Sequence, residues 1–213
     1  MDPRADTLRE GYATVATAYA DHLVDELAGK PLDRAWLTAF AEQAPAGRIV
    51  DVGCGPGHIA AFLAAAGRRV EGVDLSPAMI AEAAARFGGA ATFRVGDMFA
   101  LPYEPGAIAG IVAAYAIVHV PTVELAGMFA RWRALLAPGG LVSVAFHAGD
   151  ETLHVDELFG CATSLDFVQH RPEAVVAAIT AAGFELRARL DRKPYEGVEY
   201  PSERTYLLAR AMA

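Results

Sequence analysis

Ile49-Val50-Asp51-Val52-Gly53-Cys54-Gly55-Pro56-Gly57 decides how this chain is read. A short β-type run, Arg48–Val52, stops at a turn with glycines at alternate positions, and an apolar helical pattern, His58–Ala66, follows at once. Strand, Gly-rich turn and helix in that order present the free N–H groups of a helix N-terminus, and the glycines let a ligand approach the backbone. Dinucleotide enzymes use a similar first turn. Two details point elsewhere. The spacing is GxGxG rather than GxGxxG, and Asp51 places a carboxylate inside the strand just ahead of the turn. That carboxylate repels a pyrophosphate and attracts a sulfonium or an ammonium.

Outward from this turn, strands and helices alternate. Downstream come a strand (Arg69–Asp74), a helix opened by Ser76-Pro77 and running to Phe87, and a strand (Ala91–Gly96). An apolar run (Ala107–Tyr115), a helix (Val123–Leu136) and, after Pro138-Gly139-Gly140, a strand (Leu141–Phe146) continue the pattern. Such alternation implies an α/β fold whose parallel sheet has right-handed crossovers. A helix (Pro172–Ala182) ends at Gly183, and two last strands, Phe184–Arg192 and Glu203–Ala211, suit an antiparallel hairpin at a sheet edge. Upstream, Val15, Tyr19, Leu23 and Leu27 form a stripe that predicts a helix to Lys30, and Leu32, Leu37 and Phe40 predict a second one ending near Pro45. Between Phe146 and Arg171 no period is clear, and that length without structure is usually functional. No repeat or linker divides the chain, so the expectation is a single domain over residues 1–213, with a helical lid or substrate cap (1–45) on a core (46–213).

The 213 residues are 54% hydrophobic and 21% charged, a globular balance. Eighteen basic against 26 acidic side chains give a net charge of −8, which argues against a nucleic-acid partner. Cys54 and Cys161 form no CxxC pair and read as reduced thiols. No apolar run reaches the roughly 18–20 residues of a membrane span, and the N-terminus does not read as a signal peptide. A cytoplasmic protein without a membrane partner, monomer or homodimer, is expected.

Three aspartates end three successive strands: Asp51, Asp74 (23 residues later) and Asp97. In open α/β sheets such positions converge on the ligand crevice, where a carboxylate can accept ribose hydroxyls. The motifs Val50-Asp51-Val52-Gly53-Cys54-Gly55-Pro56-Gly57, Gly72-Val73-Asp74-Leu75-Ser76-Pro77-Ala78-Met79, Gly96-Asp97-Met98 with Leu101-Pro102, and Leu136-Ala137-Pro138-Gly139-Gly140 occur in this order. Together they resemble the class I, Rossmann-like S-adenosylmethionine (AdoMet)-dependent methyltransferases of small-molecule type, from about Tyr12 to the C-terminus. The resemblance implies a seven-stranded, doubly wound sheet, mostly parallel, with the last strand antiparallel. It also implies AdoMet as cofactor and S-adenosylhomocysteine as product. By the same resemblance the Asp51 and Gly53 region would serve the methionine part and Asp74 the ribose, Met79 would pack near the adenine with Asp97 and Met98 reading its edge, and Gly55 and Leu75 would also bind the cofactor. Tyr12 to Tyr19 is similar to the family's YDxxAxxY lid segment, with Ala13 where Asp is common, and Tyr19 would touch the cofactor. Ala113–Pro121 resembles a YSxIHxP-type segment, with Ala116 in place of the small hydroxyl residue; Tyr115 would line the cofactor pocket and His119 would face the substrate.

Methyl transfer from a sulfonium is an in-line displacement that needs positioning and exclusion of water. A phenol or amine acceptor can also need a base, and His suits that role near neutral pH. His119 is the candidate catalytic base and His147 the second; His154 and His170 are weaker, and His22 and His58 read as structural. Tyr12, His119, Phe146 and His147 are the expected substrate contacts. The set His147, Asp150, His154 and Asp156 has metal-ligand chemistry, but charged loop residues usually face water, and no metal is expected. No Asn/Asp-Pro-Pro-Tyr segment follows the fourth strand, and Phe146, Phe159 and Phe167 suggest an apolar pocket. The expected reaction is methylation of an O or N atom of a small, aromatic or natural-product-like metabolite. Two alternatives remain open: an AdoMet-binding protein that transfers no methyl group, and an NAD-type oxidoreductase, against which Asp51 and the glycine spacing speak.

Overall fold

The computed structural model describes residues 3–212. Helix α1 (Pro3–Leu23) is followed by a 3-10 turn at Glu26–Gly29 and by α2 (Pro31–Gln43). The alternating unit then runs β1 (Arg48–Val52), α3 (His58–Ala65), β2 (Arg69–Asp74), α4 (Pro77–Phe87), β3 (Thr92–Val95), β4 (Ile108–Ala114), α5 (Leu125–Leu135) and β5 (Leu136–His147). A hairpin, β6 (Thr152–Leu158) and β7 (Cys161–Val168), precedes α6 (Pro172–Ala181), β8 (Phe184–Arg192) and β9 (Arg204–Ala211).

Seven strands form one sheet in the order β3-β2-β1-β4-β5-β9-β8, and β6 and β7 pair separately. The pairs among β1 to β5 are parallel, whereas β9 runs antiparallel to both β5 and β8. Strand order reverses between β1 and β4, so a crevice opens above their C-terminal ends. Strands covered on both faces read as continuous apolar runs. On β1, Val50 and Val52 enter the core under α5 and α6, with Trp132, Phe129 and Ile179; Ile49 enters the opposite core, with Phe40 of α2 and Leu63 of α3. Ser76 caps α4 by accepting the Met79 N–H at 3.4 Å, as the Ser-Pro start implied.

Several expectations are corrected. The first helix ends at Leu23 instead of Lys30, because its buried positions are Gly11, Val15, Ala16 and Ala20. The expected cap of residues 1–45 divides in two: α1 lies over the crevice, while α2 packs into the sheet through Leu37, Phe40 and Ala41. The segment between Phe146 and Arg171 is mostly the β6–β7 hairpin, closed by Phe159-Gly160 with φ of +53° and +76°. Its partner is α1. The Thr163 hydroxyl donates to the Gly11 carbonyl (3.0 Å), and Thr14 donates to the Ala162 carbonyl (3.0 Å). A Cβ on Gly11 would stand 2.6 Å from Leu165 Cδ2, so glycine is what permits this approach. At the hairpin tip, Phe159 stacks on His22 at 4.2 Å and meets Tyr19 edge-on at 5.5 Å. Phe146, expected at the substrate, is fully buried in the core beside His170, because it shares its face of β5 with Val142 and Val144.

Candidate active site

Three chain punctuations build the floor of the crevice. The turn after β1 holds Gly53, Gly55 and Gly57 at φ of +66°, +51° and +87°. At Gly53 a Cβ would lie 2.5 Å from the Cβ of Ala116, so the turn lies directly against the segment that follows β4. Asp74 closes β2 and ties the floor together: one carboxylate oxygen accepts the Gly55 N–H (2.9 Å) and the other the Ser76 N–H (2.8 Å). Burial pushes its pKa up. Asp97, after β3, accepts the Phe99 N–H at 2.8 Å, which bends the chain so that Met98 and Phe99 follow along the wall.

The resulting cavity holds about 890 Å³ of space between protein atoms, its mouth included. Of the residues singled out in the sequence, Tyr12, Tyr19, Gly53, Gly55, Asp74, Leu75, Met79, Asp97, Met98, Tyr115 and His119 all line it. Three do not. Phe146 is in the core. His147 lies behind Tyr115, ring centroids 5.1 Å apart, with Nδ1 2.6 Å from the Ser202 hydroxyl; burial, and then Arg204, push its pKa down to about 4. Asp51 sits beneath the glycine turn, 1% exposed, with Oδ2 unpartnered. Burial and the nearby Asp74 carboxylate push its pKa up to about 7.

The upper wall comes from α1 and from the 3-10 turn Ile117–His119. The Tyr12 hydroxyl is 2.7 Å from His119 Nε2, and His119 Nδ1 is 2.8 Å from the Asp166 carbonyl of β7. A carbonyl can only accept, so Nδ1 carries the proton and Nε2 accepts from the Tyr12 phenol. Burial pushes His119 down to about 4 and the Tyr12 hydroxyl up, so both are neutral near pH 7. The mouth is closed by Arg4, whose two terminal nitrogens donate to Glu124 at 3.0 and 2.8 Å and whose guanidinium lies 5.6 Å from the Phe99 ring centroid. Ala5 and Leu8 complete this side. Arg4 and Leu8 escape a reading of the sequence because they reach the cavity only through the placement of α1, which packs on the hairpin, whereas Phe99 reaches the wall through the bend at Asp97.

The four residues weighed as a metal set do not converge on one point: His154 and Asp156 meet, but His147 and Asp150 bond elsewhere. Asp150 pairs with Arg171 at 2.6 Å, and exposed His154 lies between Asp166 and Asp156 at 2.7 and 3.1 Å. Among the described residues no group of three or more His, Cys, Asp or Glu is arranged to hold a metal ion, and no helix is long and apolar enough to cross a membrane.

The sheet order, the glycine turn and the strand-end aspartates around one covered cavity define a class I, Rossmann-like methyltransferase fold. Residues 49–140 match the family model described as a methyltransferase domain. A similar curated protein is the trans-aconitate 2-methyltransferase of Mycobacterium tuberculosis (strain ATCC 25177 / H37Ra), 37% identical over 108 residues. That alignment covers 49% of this chain and 39% of the relative, so the chain spans well under half the length of that protein. Among solved structures, magnesium protoporphyrin IX methyltransferase from Synechocystis PCC 6803 superposes with a TM-score of 0.73 at 17% identity, covering 98% of this chain and 97% of that one. A protein described as a (4+2)-cyclase superposes with a TM-score of 0.72 at 18% identity over the same shares. At these identities the likeness is one of fold, and fold alone does not fix the reaction.

Proposed function

We propose that the chain binds AdoMet across the C-terminal ends of β1, β2 and β4 and transfers its methyl group to a small molecule held under α1. The observation that carries this reading is the convergence of Gly53, Gly55, Asp74 and Asp97 on one cavity roofed by Tyr12 and Tyr19. Asp51 and Asp74 add a charge argument. Two neighbouring carboxylates, one with an orphaned oxygen, make the floor receptive to a cationic ligand, and AdoMet carries both a sulfonium and an ammonium. Asp74 has lone pairs left for ribose hydroxyls after accepting its two backbone N–H groups.

The acceptor occupies the side formed by Leu8, Tyr12, Phe99, His119 and Val120, which is mainly apolar and suits a small aromatic or natural-product-like metabolite. His119 is neutral and presents Nε2 toward this space, so it serves as the base for an O–H or N–H acceptor. The acceptor's proton goes to Nε2 in place of the Tyr12 hydrogen bond, the acceptor atom takes the methyl, and the sulfonium leaves as neutral S-adenosylhomocysteine. With its basicity lowered by burial, His119 matches an acidic acceptor better than an amine. Helix α1 is the lid that excludes water, held by the hairpin and by Arg4–Glu124.

A second reading, AdoMet binding without methyl transfer, is favoured by the likeness in fold to a (4+2)-cyclase. Calorimetric titration with S-adenosylhomocysteine tests the cofactor assignment: micromolar binding in the wild type, weakened at least a hundredfold by Asp74→Ala, is expected. No binding in the wild type refutes it. Turnover of AdoMet over a panel of small acids and phenols then separates the two readings.

A further inference from the structure

Tyr115 follows β4 with a φ of +57°, in the left-handed region that a tyrosine rarely adopts. It lines the large cavity and also a smaller pocket whose mainly apolar lining includes Glu26, Asp33 and Tyr206. Two hydrogen bonds fix it. Its backbone N–H donates to the Ala145 carbonyl (2.8 Å), and its hydroxyl lies 2.7 Å from that of Tyr206. Ala145 and Tyr206 face each other across β5 and β9, so backbone and phenol are tied to one register row.

The direction of the phenol–phenol bond follows from the donors present. The Tyr206 hydroxyl has one proton, and Asp33 Oδ1, 2.7 Å away, can only accept it. Arg192 Nη2 donates to the Tyr206 oxygen at 2.6 Å. Tyr206 is thus an acceptor toward Tyr115, whose own proton is committed to it. Tyr206 is itself held in an ion-pair cluster. Buried Arg192 donates to Asp33 (2.8 Å) and to Glu199 (2.6 Å), and Lys30 and Arg204 pair with Glu199 at 3.3 and 3.2 Å. Lys30 Nζ and the Arg204 guanidinium carbon stand 5.8 and 5.9 Å from the Tyr115 ring centroid.

We infer that Tyr206 is a positioning residue for the cofactor: by accepting the Tyr115 hydroxyl proton it holds that ring, in its left-handed backbone, as the wall against which AdoMet binds. The inference rests on the cofactor reading above. It assigns a role in binding to β9, which lies outside the segment matched by the family model. Without the bond, Tyr115 is released from one of its two anchors and the cavity must order the ring each time it binds.

The test is calorimetric titration of S-adenosylhomocysteine into wild type, Tyr206→Phe, Tyr115→Phe and the double variant, with thermal melts alongside. Each single variant is expected to weaken binding about tenfold, the value of one well-formed hydrogen bond. The double variant is expected to bind like either single one, because both remove the same bond. Losses that multiply in the double variant would show that Tyr206 does not act through Tyr115. Tyr115→Phe leaves the Asp33–Arg192–Tyr206 cluster in place, so it decides the question if Tyr206→Phe does not fold; wild-type affinity in Tyr115→Phe overturns the inference. Absence of binding in the wild type overturns the cofactor reading and this inference with it, whereas binding that is equal in wild type and variants overturns this inference alone.

Discussion

Replacing Gly53 by alanine perturbs the contact on which the floor of the cavity depends. Two costs arise, and both are legible in the geometry. The residue has φ of +66°, and a Cβ in left-handed geometry costs about 1–2 kcal/mol. The new methyl would stand 2.5 Å from Ala116 Cβ, where carbon atoms settle at about 3.5–4.0 Å, so the turn and the segment after β4 must move apart by about 1 Å. Overpacking of that size costs about 1–3 kcal/mol. The expected total is about 3 kcal/mol, which in a chain of this length lowers Tm by about 6–12 °C. Thermal melts of wild type, Gly53→Ala, Ala116→Gly and the double variant separate the terms. Ala116→Gly alone costs about 0.5–1 kcal/mol, since Ala116 has ordinary helical φ and ψ. In the double variant the clash disappears while the left-handed cost stays, so about half of the loss due to Gly53→Ala is recovered. A Gly53→Ala variant melting within 2 °C of wild type, or losses that simply add, would refute the account of the turn as packed against Ala116.

Two further outcomes follow from the buried titratable groups. Asp51 has a native pKa near 7, above its unfolded value, so its ionisation weakens the fold as pH rises through that range. Asp51→Asn is expected to be more stable than wild type at pH 8, by on the order of 2 kcal/mol in urea denaturation, and to bind S-adenosylhomocysteine more weakly; a less stable variant contradicts the assignment. His119 and His147 have the opposite sign. Both pKa values are pushed down to about 4, so the unfolded chain takes up protons that the native state refuses. The stability they contribute is full above about pH 7 and is lost as pH falls from about 6.5 toward 4, by at most ~3 kcal/mol per ring. His147→Gln should flatten that acid limb, and a limb of unchanged slope would show that the ring is not buried neutral.

The sequence carried the sheet because apolar runs there end at strong punctuation. Arg48–Val52, Arg69–Asp74, Pro77–Phe87 and Phe184–Arg192 have the boundaries that Gly-Cys-Gly, Ser-Pro and Gly183 imply. The hairpin was harder to see. On β6 and β7, Leu153, Val155, Thr163 and Leu165 do alternate with polar residues, but most are only half-buried, and the partner of Thr163 and Leu165 is a helix about 150 residues earlier in the chain. Phe146 shows a readable error: counting in twos from Val142 and Val144 sends it into the core and sends His147 to the Tyr115 side. Tyr206, Asp33 and Arg192 left no local trace, since their bonds join residues up to 173 positions apart. The glycine turn and the strand-end aspartates are written in one continuous segment, whereas the wall made by Tyr12 and His119 exists only once distant segments have folded together.

The hydrogen bond between His119 and the hairpin is made to the main-chain carbonyl of Asp166, not to its side chain, with the Phe167 ring 4.9 Å from the imidazole. Every residue type offers that carbonyl. The exposed side chains of β6 and β7 can therefore diverge without disturbing the imidazole, as long as strand pairing and the seat of Leu165 against Gly11 persist. The outer face of the hairpin is thus free to vary while the hydrogen bond that orients His119 stays in place.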